Sequence, residues 1–272
     1  MGFSERLRKF RETENIVNWH EHIWYKQAEE IDIPRFEAML RDGEEFGISQ
    51  FVISNPAIGV RETKEQIMHR NDTVYWAMRN YPGKVFGMCY VDPGLTRFSL
   101  EEIDRCVGQL GFVGIKLYNQ YFISDPVLDE VLEKAKEYGV PVLEHAAKLN
   151  MFAETQPFAS DGTHFAKAAE KHPDTQMILA HIGGGGDWQW QIRAIEDYPN
   201  VAVDMSGSIH DLGMLEYAVE HLGASRILFG SDGSIGSCVG KITGSNLSDA
   251  DKRTILTGAA FQKYLVGKEA ET

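Results

Sequence analysis

Cysteine is scarce in this 272-residue chain. Cys89, Cys106 and Cys238 are odd in number, lie far apart and form no C-x-x-C pair. Neither a disulfide framework nor a thiolate zinc knuckle is expected, and the three read as small buried apolar residues. Long hydrophobic runs are missing as well. No stretch approaches the ~18 apolar residues of a membrane span, and residues 1–8 hold no apolar segment of the kind that opens a secretory leader. A cytoplasmic protein with no membrane partner is the expectation. Positive charge is in deficit, 27 Lys and Arg against 40 Asp and Glu for a net charge of −13, which repels phosphate backbones and argues against nucleic acid as a partner. The chain contains no G-x-x-x-x-G-K-[ST] and no G-x-S-x-G, so a P-loop and a nucleophile elbow are both excluded.

What is present is an ordinary globular composition, 43% hydrophobic and 25% charged, in a length near the ~250 residues of a (β/α)8 barrel. Short apolar or β-branched runs recur at 16–19, 48–54, 85–91, 112–117, 140–143, 176–180, 201–205 and 226–229. Segments with helical spacing alternate with them: 34–46, 63–80, 100–110, 126–138, 163–172, 188–198, 212–221 and 249–256. Asp125-Pro126 and Ser248-Asp249 read as helix starts, and Gly47, Gly111, Gly139 and Gly223 as helix stops. Eight strand–helix units imply a parallel sheet covered on its outside. The fold expected is an α/β (β/α)8 TIM barrel, one domain over residues 1–272 with 1–14 as an N-terminal helix or arm; a doubly wound sheet is the alternative.

In such a barrel the C-terminal ends of the strands converge on one mouth, where functional side chains gather. His20 and His22 end the first strand in Asn18-Trp19-His20-Glu21-His22, and a period of two turns both rings the same way. His145 ends the fifth strand, His181 the sixth and Asp232 the eighth. Neutral imidazoles with a carboxylate suit Zn2+, and nearly as well Mn2+ or Fe2+, with a position left open for water. Such an ion lowers the pKa of bound water and polarises a carbonyl. His69, His164, His172 and His221 fall in or at the ends of helices and read as solvated or capping residues, and His210 reads as a surface residue. The run Gly183-Gly184-Gly185-Gly186 reads as room for backbone beside the metal.

These motifs, together with Gly114-Ile115-Lys116-Leu117, Ala180-His181-Ile182-Gly183-Gly184 and Phe229-Gly230-Ser231-Asp232, resemble the amidohydrolase superfamily over nearly the whole chain. The likeness is to its amidohydrolase-2 branch of small lactone hydrolases and non-oxidative decarboxylases. It implies that His20, His22, His145 and Asp232 bind one divalent metal, zinc for preference, while His181 acts on the substrate or ligates a second ion. A second metal is expected only if Lys116 is carboxylated. Asn18, Gly233-Ser234 and Gly258-Ala259-Ala260 depart from the family pattern and leave the hydrogen bonding around the ligands open.

The reading that follows is a metal-dependent hydrolase acting on a small lactone, cyclic amide or ester. Asp232 is general base as well as ligand, and His181 polarises the carbonyl or protonates the leaving group. The alternative is non-oxidative decarboxylation of a small aromatic or unsaturated acid. Lys116 or Arg61 is expected to hold a substrate carboxylate. Trp24, Asn55 and Tyr118, with Tyr25, Asn119 and Trp188, are candidates to line the pocket. Aromatic loops and family habit suggest a homo-oligomer.

Overall fold

The computed structural model describes residues 2–27, 29–58, 61–146, 154–182 and 187–265. Eight parallel strands form one sheet whose order follows the chain: β1 (Ile16–His22), β2 (Ile48–Ser54), β3 (Val85–Tyr90), β4 (Gly114–Leu117), β5 (Val142–Glu144), β6 (Met177–Leu179), β7 (Val201–Asp204) and β8 (Ile227–Leu228). The two ends of the sheet meet. The Trp19 N–H donates to the Phe229 carbonyl and the Asp232 N–H to the His20 carbonyl, both at 2.8 Å. The result is a nearly closed barrel with helices between successive strands, as the alternating pattern requires.

Alternation along each strand separates two cores. Ile115, Leu117, Val142, Met177, Leu179, Val201 and Val203 pack outward under the helices. Met88, Leu143, Ile178, Ala202 and Leu228 fill the inside. Continuing the same period turns Lys116 of β4 and Asp204 of β7 inward, where both are buried. The inner core is therefore apolar at its base and polar at the C-terminal ends of the strands.

The turn chemistry acts where the sequence places it. Asp125 and Ser248 cap their helices through side-chain oxygens, and Gly139 ends its helix in the left-handed conformation, φ 64°. Two elements differ from expectation. The segment 100–110 is not one α-helix: Thr96–Ile103 is α-helical and then widens into a π-helical turn over Asp104–Gln109. A helix over Ile235–Gly244 follows β8 in a glycine-rich stretch of low helix propensity. Burial of Ile235, Cys238, Val239 and Ile242, one face of a helix, holds it there. The N-terminal segment is helical over Phe3–Arg11, and Phe10 packs edge-on against Phe229 with ring centroids 6.0 Å apart. All three cysteines are free and buried. Among the described residues no helix is long and apolar enough to cross a membrane. The glycines 183–186 lie outside the described residues.

The helices Gly162–Lys171 and Trp188–Ile195 cross closely because Gly162 has no side chain: a Cβ there would sit 2.5 Å from the Gln191 carbonyl oxygen. Gly162→Ala is expected to destabilise the fold by about 1–3 kcal/mol through overpacking against rigid backbone. Gly236→Ala, with nothing within 4 Å, is expected to leave stability unchanged or slightly raised. Equal denaturant midpoints for the two variants would refute this account of the helix contact.

Candidate metal centre

β1 delivers His20 and His22, and the turn after β8 delivers Asp232. One donor atom from each lies within 4.8 Å of the other two. His22 Nε2 is 3.1 Å from Asp232 Oδ1, and the His20 and His181 rings stack with centroids 4.9 Å apart. His145, the fourth ligand expected from the sequence, lies outside this group of three and reaches it through His181, Nδ1 to Nε2 at 3.0 Å. His181 and Asp232 both have left-handed backbone, φ 61° and 46°, unusual for residues with a side chain.

The partners of three of the four rings fix where their protons lie. His22 Nδ1 lies 3.2 Å from the Ser54 carbonyl oxygen and 3.1 Å from the Ser54 hydroxyl, while its Nε2 lies 3.1 Å from Asp232 Oδ1, so both ring nitrogens have oxygen partners. His20 donates from Nδ1 to Asp204 Oδ2 at 2.9 Å, leaving Nε2 to accept from the Lys116 amine at 3.0 Å. His181 donates from Nδ1 to the Ser206 hydroxyl oxygen at 2.7 Å. His145 donates from Nε2 to Gln156 Oε1 at 3.0 Å. His145 Nδ1 and His181 Nε2, each left with a lone pair, therefore face one another at 3.0 Å. Such atoms repel unless a cation or a proton lies between them.

Protons are not freely supplied. Burial pushes the His20 imidazolium down to about 4, helped by the Lys116 charge and opposed by Asp204. Burial also lowers His181, and lowers His145 well below the usual range. For Asp232, burial opposes ionisation, but the His22 hydrogen bond and the neighbouring rings hold the carboxyl far below the usual carboxylate range. Neutral imidazoles and an ionised carboxylate, with lone pairs converging, fit a divalent cation. The second cluster of donors, His20, His181 and Asp204, fits one less well. Asp204 already accepts from His20, from the His181 and Ser206 N–H groups and from the Ser206 hydroxyl.

Lys116 lies fully buried, and burial brings its ammonium down to about 8 against the pull of Asp232, Asp204 and Glu144. Tyr118 stacks on His145 at 4.4 Å, and Trp24 meets His22 edge-on at 5.0 Å. Asn55 is buried beside the mouth strand, its Oδ1 accepting from Arg70 at 2.9 Å. Arg61 is not drawn into the cluster: its side chain is 56% exposed and sits 3.6 Å from Asp92, donating to the Tyr121 hydroxyl at 2.8 Å. Tyr25 bonds Thr73 and stacks on His69, and Trp188 donates to Asp211. The remaining histidines have local roles. His164 completes a capping box with Asp161, His172 bridges Glu133 and Asp129, His221 pairs with Glu196, and His210 is exposed. The sequence reading passed over Asp204, Ser206 and Glu21. The inward period from Ala202 to Asp204 at the end of β7 was the available signal.

Residues 17–235 match the amidohydrolase family. A 2-amino-3-carboxymuconate-6-semialdehyde decarboxylase of Dictyostelium discoideum is 23% identical over 198 residues, 60% of this chain and 54% of that protein, so the match spans about half of the relative's length. The 2,6-dihydroxybenzoate decarboxylase from Rhizobium has the same fold, with a TM-score of 0.74 at 18% identity over 93% of this chain and 98% of that one. A dihydroxybenzoic acid decarboxylase from Polaromonas sp. JS666, solved with manganese and 2-nitroresorcinol, gives 0.71 at 20% identity over 93% and 97%. These similarities overturn the expectation of a hydrolase, since the curated relative and most of the similar solved structures are decarboxylases. Donors alone could not separate the two, because both chemistries use the same ion. With its histidines and aspartate on the strand ends of this barrel and a match over most of its length, the chain belongs to the amidohydrolase family.

Proposed function

We propose that this protein is a metal-dependent, non-oxidative decarboxylase of a small aromatic or unsaturated carboxylic acid. The observation that carries the reading is the convergence of donor atoms from His20, His22 and Asp232 within 4.8 Å of one another, beside the facing lone pairs of His145 and His181 at 3.0 Å. The decarboxylase relatives support decarboxylation over hydrolysis among the chemistries such a site could serve. In this reading His20, His22 and Asp232 hold one divalent ion, with His181 and His145 as further donors. Zn2+ suits the donor types, and Mn2+ is the ion of the Polaromonas neighbour. A cation bound there supplies Lewis acidity and anchors an anionic substrate oxygen.

The chain's own groups do the rest. The Lys116 ammonium donates to a substrate carboxylate oxygen, and Tyr118 and Trp24 offer flat faces beside His145 and His22 for a ring. Decarboxylation breaks the bond between ring carbon and carboxyl carbon, leaves the electron pair on the ring, and requires one proton at that carbon. Asp232 Oδ2 and His181 Nε2, 3.8 Å apart and both unprotonated at rest, are the groups that would take this proton from solvent and pass it to that carbon. Arg61, on the rim, is left to steer an anion toward the mouth.

Purified protein loaded with Mn2+ or Zn2+ is expected to release CO2 from at least one member of a panel of hydroxybenzoates that includes 2,6-dihydroxybenzoate and 5-carboxyvanillate. A chelator should abolish turnover and added ion restore it. Opening of lactones in a parallel panel with no CO2 from any acid, or turnover indifferent to chelation, would sink the reading. Asp232→Asn should keep the fold and lower kcat by roughly 10²–10⁴-fold, the usual worth of a positioned proton donor. A variant within threefold of the parent would remove Asp232 from the chemistry.

A further inference from the structure

We infer that Asp204 is a positioning residue that sets the protonation pattern of two site histidines at once, and so determines how tightly the site takes its cation. The inference rests on the metal-site reading above. Asp204 is wholly buried at the inward end of β7. Its Oδ2 accepts from His20 Nδ1 at 2.9 Å. Its Oδ1 accepts three hydrogens, from the His181 N–H at 3.3 Å, the Ser206 N–H at 2.8 Å and the Ser206 hydroxyl. Because the Ser206 hydroxyl spends its hydrogen on Asp204, its oxygen is left to accept from His181 Nδ1 at 2.7 Å. One carboxylate therefore holds both rings with Nδ1 protonated, and both Nε2 lone pairs point to the mouth. Lys116 reinforces the choice at His20 by donating to Nε2.

An amide in place of the carboxylate breaks this arrangement without changing its volume. In Asp204→Asn the three donors around Oδ1 claim the amide oxygen, which leaves the NH2 group facing His20 Nδ1. The ring must then accept at Nδ1 and carry its hydrogen on Nε2, against Lys116 and against any cation. Loss of the orienting carboxylate beside a histidine has this consequence wherever the wrong tautomer is imposed. Ser206→Ala separates the two branches, since it frees the His181 ring and leaves the His20 bond intact.

The test is made on metal-free protein at pH 8 with 15N-labelled histidine, read by the ring-nitrogen chemical shifts, and separately by Mn2+ titration. In the parent, His20 and His181 should both show protonated Nδ1 and unprotonated Nε2. Asp204→Asn should lose that signature at His20 and bind Mn2+ about 10–100-fold more weakly, the usual effect of removing a ligand's orienting partner. Ser206→Ala should lose the signature at His181 alone. Parent-like ring shifts in Asp204→Asn, or Mn2+ affinity within twofold of the parent, would overturn the proposal. Should Asp204→Asn fail to fold, Ser206→Ala decides it, and an unchanged His181 tautomer there refutes it. The ring shifts need neither metal nor turnover. A parent that binds no ion would thus fail the metal reading while the tautomer result still stood or fell on its own.

Discussion

The carbonyl of His20 closes the barrel beside the candidate metal centre. It accepts the Ser231 N–H at 3.2 Å and the Asp232 N–H at 2.8 Å, and by doing so joins the last strand segment to the first. The same two bonds bring Asp232 against His22. Closure of the barrel and assembly of the donor group are one event. Around them, Asn18 accepts from the His20 and Ser231 N–H groups and donates to the Ser231 hydroxyl at 2.7 Å, while Glu21 accepts the Gly233 N–H and the Ser231 hydroxyl hydrogen. Glu21 is buried, which raises its carboxyl against these bonds. A buried network of this kind is costly if any member is left unpaired. The seam therefore tolerates little movement, and Asp232 inherits that rigidity.

The seam also explains the strained backbone. A residue with a side chain is uncommon in the left-handed region, and at a functional site its surroundings hold it there. At Asp232 the bond to the His20 carbonyl fixes one side of the turn and the Glu21 carboxylate, through the Gly233 N–H, fixes the other. At His181 the Asp204 carboxylate plays the same part by taking the backbone N–H. Both strained residues point a donor into the mouth, so the strain is spent on aim.

Much of this was legible in the sequence because periodicity and burial are local signals. The β-branched runs at 48–54, 85–91 and 201–205 stand on strands, and the glycines after helices have the positive φ their positions suggested. Histidines at strand ends announced the mouth. What was not legible is what only the closed fold supplies. Glu21 and Asp204 look like ordinary acids in the sequence, and nothing near them in the chain says that one ties β8 to β1 or that the other orients two rings. His145 looked equivalent to His20, yet in the structure it faces His181 rather than the three-donor group. Arg61 looked like a pocket cation because it follows β2, but Asp92 and Tyr121 hold it at the rim. The helix over Ile235–Gly244 was hidden by its glycines and is recovered only through the face it buries.

The mistaken preference for hydrolysis has a physical lesson of its own. A cation held by imidazoles and a carboxylate activates water or anchors a carboxylate equally well, so the donors specify an ion and not a reaction. The reaction depends on which groups stand beside the ion and what they carry. Here the inward cation is Lys116, an amine buried among acids and brought down to about 8 by burial, beside rings that burial keeps neutral. In the reaction proposed above, Lys116 stands as an ammonium among the ionised Asp232 and Asp204 and the neutral rings, and it meets the substrate carboxylate. In that proposed reaction, loss of CO2 moves the negative charge from the carboxylate to the ring carbon, where a proton quenches it.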